Sequence, residues 1–205
     1  TISKIDTQTM LEEGRYIVRP DSNGSPSRTS VSLSGHVAVA NRSGGVAKVW
    51  ALPDFCEESN GQPGIQTSEG NQILPWGQEE CIAWYTPFNY ASQRPVAWAQ
   101  GEFNQGTCNY ENEKLWTSGR TQQQSGQVDV LRLNGDTGEV EDMVVVNGVS
   151  TSFYGIYGGA VDGDGNFWGS QLGTGRIVRV DAEDLTYQTW PMAVSGYGMT
   201  VDSDG

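Results

Sequence analysis

The sequence predicts an all-β fold, a β-propeller built of four-stranded antiparallel blades, and three observations predict it. One phrase occurs twice. Tyr157-Gly158-Gly159-Ala160-Val161-Asp162-Gly163-Asp164-Gly165 returns 40 residues later as Tyr197-Gly198-Met199-Thr200-Val201-Asp202-Ser203-Asp204-Gly205. Between the copies lie Asn166-Phe167-Trp168, Arg176-Ile177-Val178-Arg179-Val180-Asp181 and Tyr187-Gln188-Thr189-Trp190-Pro191. Each run is short, rich in β-branched and aromatic residues and bounded by Gly, Asp, Asn or Pro, so each reads as a strand. Finally, 27 glycines and a charged fraction of only 18% suit an all-β chain with many tight turns. Four short strands in a repeat of about 40 residues are the signature of a propeller blade.

With that repeat as a ruler, residues 1–205 read as one domain. Ile2-Ser3-Lys4-Ile5-Asp6 matches the third strand of the blade, and 14–20 matches the fourth, so 1–20 is half a blade. In the blade 28–91 the first strand and its turn fall at 30–35, the second strand at 37–41 and the third at 46–50. Its fourth strand is delayed to 81–85 by an insertion, 53–80, rich in Gly, Glu, Gln and Ser. The blade 94–147 starts with 94–98, takes a second insertion over 100–113, and resumes with strands at 114–116, 127–133 and 141–146. Its turn Asn134-Gly135-Asp136-Thr137-Gly138 consists of residues that tolerate positive φ. The blade 157–191 follows, and 197–205 opens another. An arc of blades leaves strand edges in water, whereas a closed ring of about six or seven removes them. Further blades are therefore expected, from the same chain or another.

The net charge of −13 is unevenly placed: residues 1–50 hold six basic and four acidic side chains, and 51–205 hold six and twenty-one. A field of that sign repels nucleic acid and anionic lipid. No apolar run is long enough to span a membrane, and no basic-then-apolar leader opens the sequence. Cys56, Cys81 and Cys108 have neither C-x-x-C spacing nor a neighbouring His, which argues against zinc. One disulfide and one odd thiol are expected, in a protein of an extracellular, periplasmic or cell-surface compartment. In a four-stranded blade, the turn after the first strand and the turn after the third open on the same face. Both insertions therefore leave on one side, and Cys56 or Cys81 is expected within reach of Cys108, the pairing itself being open.

Candidate chemistry is sparse. Asp162/Asp164 and Asp202/Asp204 lack the further ligands and distal Glu of a calcium loop, and Gly165 or Gly205 follows at once, so each pair reads as a hairpin turn. His36 is the one histidine, expected to be a solvated turn residue, and a Ser-His-Asp triad has no second candidate base. Trp76, Trp84, Tyr85, Phe103 and Tyr110 lie in or beside the insertions and mark an interaction surface for a protein or glycan. On the opposite face Arg28 and Arg94 begin first strands, Arg42 and Arg120 lie between second and third strands, and Tyr90, Tyr154, Tyr157 and Tyr197 lie in crossovers. That set suits a ligand bearing carboxylate, sulfate or phosphate. The competing expectation is that each Arg pairs with an acidic neighbour. Lys4, Lys48, Arg132 and Arg179 recur at one place in the third strand, a regularity read as structural. Asn23-Gly24-Ser25 and Asn41-Arg42-Ser43 are glycosylation sequons. These residues point to an exported, non-catalytic binding or scaffold module with neither metal nor cofactor.

The pattern Tyr-Gly-x-x-Val-Asp-x-Asp-Gly-Asn-x-Trp, followed by Arg176-Ile177-Val178-Arg179-Val180-Asp181, resembles the streptogramin lyase (virginiamycin B lyase) type of propeller and its NHL-type relatives. The likeness is specific over 155–205, weaker over 1–50, and between 53 and 113 it survives in strand spacing alone. It is most similar to large exported bacterial members whose propeller has no assigned function. The resemblance implies an alternative, a carbon–oxygen lyase or lactonase that uses histidines and a glutamate with Mg or Ca at one end of the ring. No His here maps onto that set, so the alternative places the catalytic residues in blades outside this sequence.

Overall fold

Regular structure in the protein is β-strand apart from one 3-10 turn at Pro53–Phe55, in a computed structural model that describes residues 1–121, 126–149, 154–173, 175–194 and 196–202. A two-stranded ribbon, β1 (Ile2–Ile5) and β2 (Glu12–Tyr16), comes first. The first four-stranded sheet runs in simple order through β3 (Pro26–Val31), β4 (Val37–Asn41), β5 (Val46–Val49) and β6 (Ile82–Thr86). The second starts with β7 (Ser92–Ala99), sets aside a hairpin of β8 (Glu102–Asn104) and β9 (Asn109–Glu111), and continues with β10 (Lys114–Arg120), β11 (Gln127–Asn134) and β12 (Val140–Asn147). The third contains β13 (Ile156–Val161), β14 (Phe167–Gln171), β15 (Arg176–Val180) and β16 (Tyr187–Pro191). All pairings are antiparallel. Among the described residues no helix is long and apolar enough to cross a membrane.

Side chains alternate across a strand, and the alternation sorts the core into layers between consecutive sheets. Val39, Ala47 and Val49 pack against Tyr16 of the ribbon and Val18 just beyond it. Ala38 and Ala40, on the other face of the same sheet, meet Val96, Leu115, Leu131 and Leu133 of the next. Trp116, Val128, Val130, Val144 and Val146 then face Ile156, Phe167, Val178 and Val180. The middle sheet is thus covered on both sides, which is why apolar residues of β11 fall on both parities. Both β3 and β13 contact β7, so the first strands of the three sheets adjoin.

The recurring basic residues of the third strands tie one sheet to the next. Lys48 stands opposite Ala38, and Arg132 opposite Trp116, in their respective ladders. Lys48 Nζ donates to the Gly135 carbonyl at 2.9 Å, and Arg132 Nη1 to the Ala182 carbonyl at 2.6 Å, each in the turn before the fourth strand of the following sheet. Indole groups repeat the link: Trp84 Nε1 donates to Gly135 O and Trp116 Nε1 to Gly165 O, both at 3.1 Å. A charged donor in such a bond contributes about 1.5–3 kcal/mol. Arg179 pairs instead with Asp181 at 3.0 Å, and Lys4 with Glu13 at 2.8 Å.

The turn expected at Asp162 is present. Its carboxylate accepts the N–H groups of Asp164 and Asn166 at 3.1 and 2.9 Å, and Gly165 supplies the φ of +85°. Its counterpart runs into 203–205, outside the described residues. Two expectations need correction. The first strand of the first sheet begins at Pro26, earlier than the apolar pattern indicates, with an irregularity between Pro26 and Arg28. Proline is tolerated at a strand start, where its missing N–H breaks no ladder bond. Residues 197–202 form no strand.

Candidate functional site

Three arginines and three tyrosines from distant parts of the sequence converge where the first strands begin. Arg28, on the irregular start of β3, places its guanidinium carbon 4.9 Å from the ring centroid of Tyr157 and 4.6 Å from that of Tyr197, and donates to the Tyr197 carbonyl at 3.1 Å. Arg94, on β7, lies 4.6 Å from the ring of Tyr154 and 4.8 Å from that of Tyr157. The order Tyr197, Arg28, Tyr157, Arg94, Tyr154 is an alternation of cations and π faces, a favourable arrangement. Arg42 donates to Ser25 Oγ and to the Pro26 carbonyl, both at 3.0 Å, and its own carbonyl accepts the N–H of Gln93.

Arg94 is only 6% exposed, and its sole hydrogen bond among the described residues is to Ser92 Oγ at 3.2 Å. Burial pushes its pKa down; Tyr157 and Tyr154 oppose that shift, while the neighbouring Arg42 and Arg28 add to it. The hydrogen bond between the hydroxyls of Tyr157 and Tyr197 raises the pKa of Tyr157, with burial adding to it, and lowers that of Tyr197, which Arg28 also favours in its ionised form. Ion pairs engage Lys4, Arg15, Arg19, Lys48, Lys114, Arg132 and Arg179. Among the described residues none engages Arg28, Arg42, Arg94 or Arg120, so there the expected local acidic partners are not found.

Two residues of the expected set are placed otherwise. Tyr90 packs its ring on Phe88 and over Gly119 and donates its hydroxyl to Asp129 Oδ2 at 2.9 Å; burial, then the Asp129 carboxylate, raises its pKa. Arg120 sits half-buried at the end of β10 against Gly155, its Nε without a partner among the described residues.

On the other side, 53–80 is held at its neck by a disulfide between Cys56 and Cys81, whose Cα atoms are 4.6 Å apart. Cys108 is exposed and free, at the far end of the β8–β9 hairpin. One bond and one odd thiol are as expected, but the bond closes a single insertion and does not staple neighbouring sheets through Cys108. Cys81 directly precedes β6 and its carbonyl accepts the Trp50 N–H, which sets it facing the outgoing chain at Cys56. Two buried glutamates organise the same insertion. Glu80 accepts the N–H groups of Ser59, Asn60 and Gln66, and these bonds lower its pKa. Glu79 accepts from Ser68 and from the Cys81 N–H. Adjacent acids in a polar loop carry no pattern by which the sequence distinguishes them.

The insertion aromatics divide. Phe103 is exposed and stands opposite Tyr110 on the hairpin, which Ser34 Oγ ties to the preceding sheet by a 3.1 Å bond to the Tyr110 carbonyl. Trp76 is half-buried, edge-on to Tyr85 at 5.6 Å, while Trp84 and Tyr85 lie half-buried between sheets. His36 is a correction. It is 5% exposed rather than solvated, edge-on to Trp50 and Phe55 at 4.4 and 4.9 Å, and burial followed by the charge of Lys48 lowers its pKa to about 4. The sequon at Asn41 is also closed, because its amide nitrogen is buried against the Val18 carbonyl at 3.0 Å. Among the described residues no group of three or more His, Cys, Asp or Glu side chains could hold a metal ion.

No family model and no curated protein matches the sequence. Among solved structures, the chain is similar to a protein of unknown function from Bacteroides caccae, with a TM-score of 0.58 at 9% identity. The likeness takes in 100% of this chain and 58% of that one, so the chain spans little more than half its neighbour's length. At that identity the similarity is one of fold.

Proposed function

We propose that the protein is an exported, non-catalytic binding module of the β-propeller type, which holds an anionic group of its ligand on Arg28, Arg42 and Arg94 and offers the insertions 53–80 and 100–113 as an interaction surface on the other side. The observation that carries the anion site is the convergence of guanidinium groups without a carboxylate in ion-pair contact among the described residues, in a chain of net charge −13. A cation as buried as Arg94 is costly unless it is paired, and a planar fork of donors suits carboxylate, sulfate or phosphate. The simple strand order of the three sheets, their adjoining first strands and the links from each third strand to the next sheet support the propeller reading. It would be a ring of about six or seven blades completed by the same or another chain. The repeat at 157–191 supports a place near the streptogramin-lyase-like propellers, and the disulfide supports an oxidising compartment.

Sulfate is the probe that tests the site. Calorimetric titration with sodium sulfate, against sodium chloride at equal ionic strength, should give saturable binding that Arg94→Met and Arg28→Met each weaken by about tenfold, the value of one charge-assisted bond. Bound sulfate should also raise the melting temperature as mass action requires. Equal heats for the two salts, or variants that bind like the parent, would remove the anion site.

A further inference from the structure

A second site lies where the two insertions meet, and it is built from residues that the anion site does not use. A cavity of about 360 Å³ opens between the first and second sheets, lined by His36, Lys48, Trp50, Phe55, Glu113 and Asp136 together with the hairpin strand at Tyr110. Its volume falls in the range of small-molecule sites, and a water in liquid occupies only about 30 Å³.

Two of its polar groups are more than nine-tenths buried and lack a partner among the described residues: Nδ1 of His36 and Oε1 of Glu113. Buried polar atoms without partners are uncommon and each costs about 1–3 kcal/mol. Glu113 is fixed in place by its backbone, whose carbonyl accepts the Gly135 N–H at 2.9 Å. Lys48 shares the cavity. Its ammonium bonds Gly135 O, lies 4.1 Å from the Trp50 ring centroid and stands 3.8 Å from Asp136, leaving donor capacity for a ligand. Trp50 and Phe55 stack at 6.1 Å and form an apolar wall.

The ligand class follows from that mixture. A carboxylate, sulfate or phosphate would face Glu113, Glu111 and Asp136, and an ammonium would face Lys48. A hydroxyl group donates to Glu113 and accepts from Lys48 at once, and the C–H face of a ring covers the aromatic wall. We infer that this cavity binds a neutral, hydroxyl-rich ring, a hexopyranose unit of a glycan, with Glu113 and His36 bonding its hydroxyls and Trp50 and Phe55 packing on its apolar face. The site is on the insertion side, away from Arg94, and stands or falls independently of the anion site.

The test is NMR titration of the whole chain with methyl glucoside, methyl galactoside, methyl mannoside and methyl N-acetylglucosaminide up to ~10 mM, where a millimolar site approaches saturation. The Trp50 indole N–H signal reports the cavity. At least one glycoside should shift it saturably, and Glu113→Gln and His36→Asn should each weaken binding about tenfold or more. Asn166 holds the place of His36 in the third sheet, so His36→Asn suits the turn and decides the matter alone if Glu113→Gln does not fold. Sulfate binding should be unchanged in both variants. The proposal is overturned if no glycoside shifts the indole, if both variants bind like the parent, or if methylammonium or sulfate displaces the glycoside from this signal.

Discussion

His36 shows how far one side chain can depart from what its position in a turn implies. The imidazole is closed in by Trp50, Phe55 and the buried ammonium of Lys48, with Asp136 as the opposing charge. An unfolded histidine titrates near 6.5, whereas burial and then Lys48 lower the folded value to about 4. Above pH 6.5 both states are neutral and the residue adds no pH dependence. Between about 6.5 and 4 the unfolded chain takes up a proton that the folded chain refuses, so stability falls as the pH falls. At about 1.4 kcal/mol per pH unit the loss approaches about 3 kcal/mol at pH 4. Lowered carboxylate pKa values elsewhere, such as that of Asp162, shed stability at the acid end of the same range, so the measurement is a difference. Urea unfolding of the parent and of His36→Asn should converge on acidification, the parent losing its advantage. Parallel stability curves from pH 7 to 4 would show that the imidazole is protonated in the fold.

At the scale of elements, the insertion 53–80 is a folded unit because its neck and its interior are both bonded. The Cys56–Cys81 link closes a loop of 25 residues, for which the chain-entropy account gives about 3 kcal/mol. Replacing both cysteines with alanine should lower the unfolding free energy by about that amount, and reducing the parent should do the same, read by guanidinium denaturation. If neither changes the midpoint, the insertion melts independently of the sheets. What the sequence could reveal here had a physical limit. The second to fourth strands of the sheets were legible because β-branched runs end at Gly, Asp or Pro, and the Arg28, Arg94, Tyr157 and Tyr197 cluster because the repeat assigns each residue to one end of a strand. Pro26 hid the start of β3. Nothing local announced that Glu79 and Glu80 would turn inward, or that Glu113 and His36 would share a cavity. Those positions depend on how two insertions of irregular backbone fold against each other, and no periodicity records that.

For the whole molecule, the consequence of layered sheets is unequal stability. The middle sheet has Leu115, Leu131 and Leu133 covered on one face and Trp116, Val128 and Val130 on the other, while the third sheet rests on the second by one face and stacks Trp168 on Trp190 at 5.7 Å on the other. Local opening follows buried contacts, so amides of β10 and β11 should exchange most slowly and those of β16 much faster. Arg132 controls the boundary: it pairs with Asp142 at 2.6 Å within its sheet and reaches Ala182 O in the next. Arg132→Met keeps the length of the side chain and its packing on Trp116 but removes both bonds, at a cost of about 2 kcal/mol. If the sheets are joined by these links, hydrogen exchange read by mass spectrometry should show the loss in β13–β16, with β4 and β5 protected as before. A loss spread evenly over all three sheets would mean that the array opens as one cooperative unit, held by its apolar layers alone.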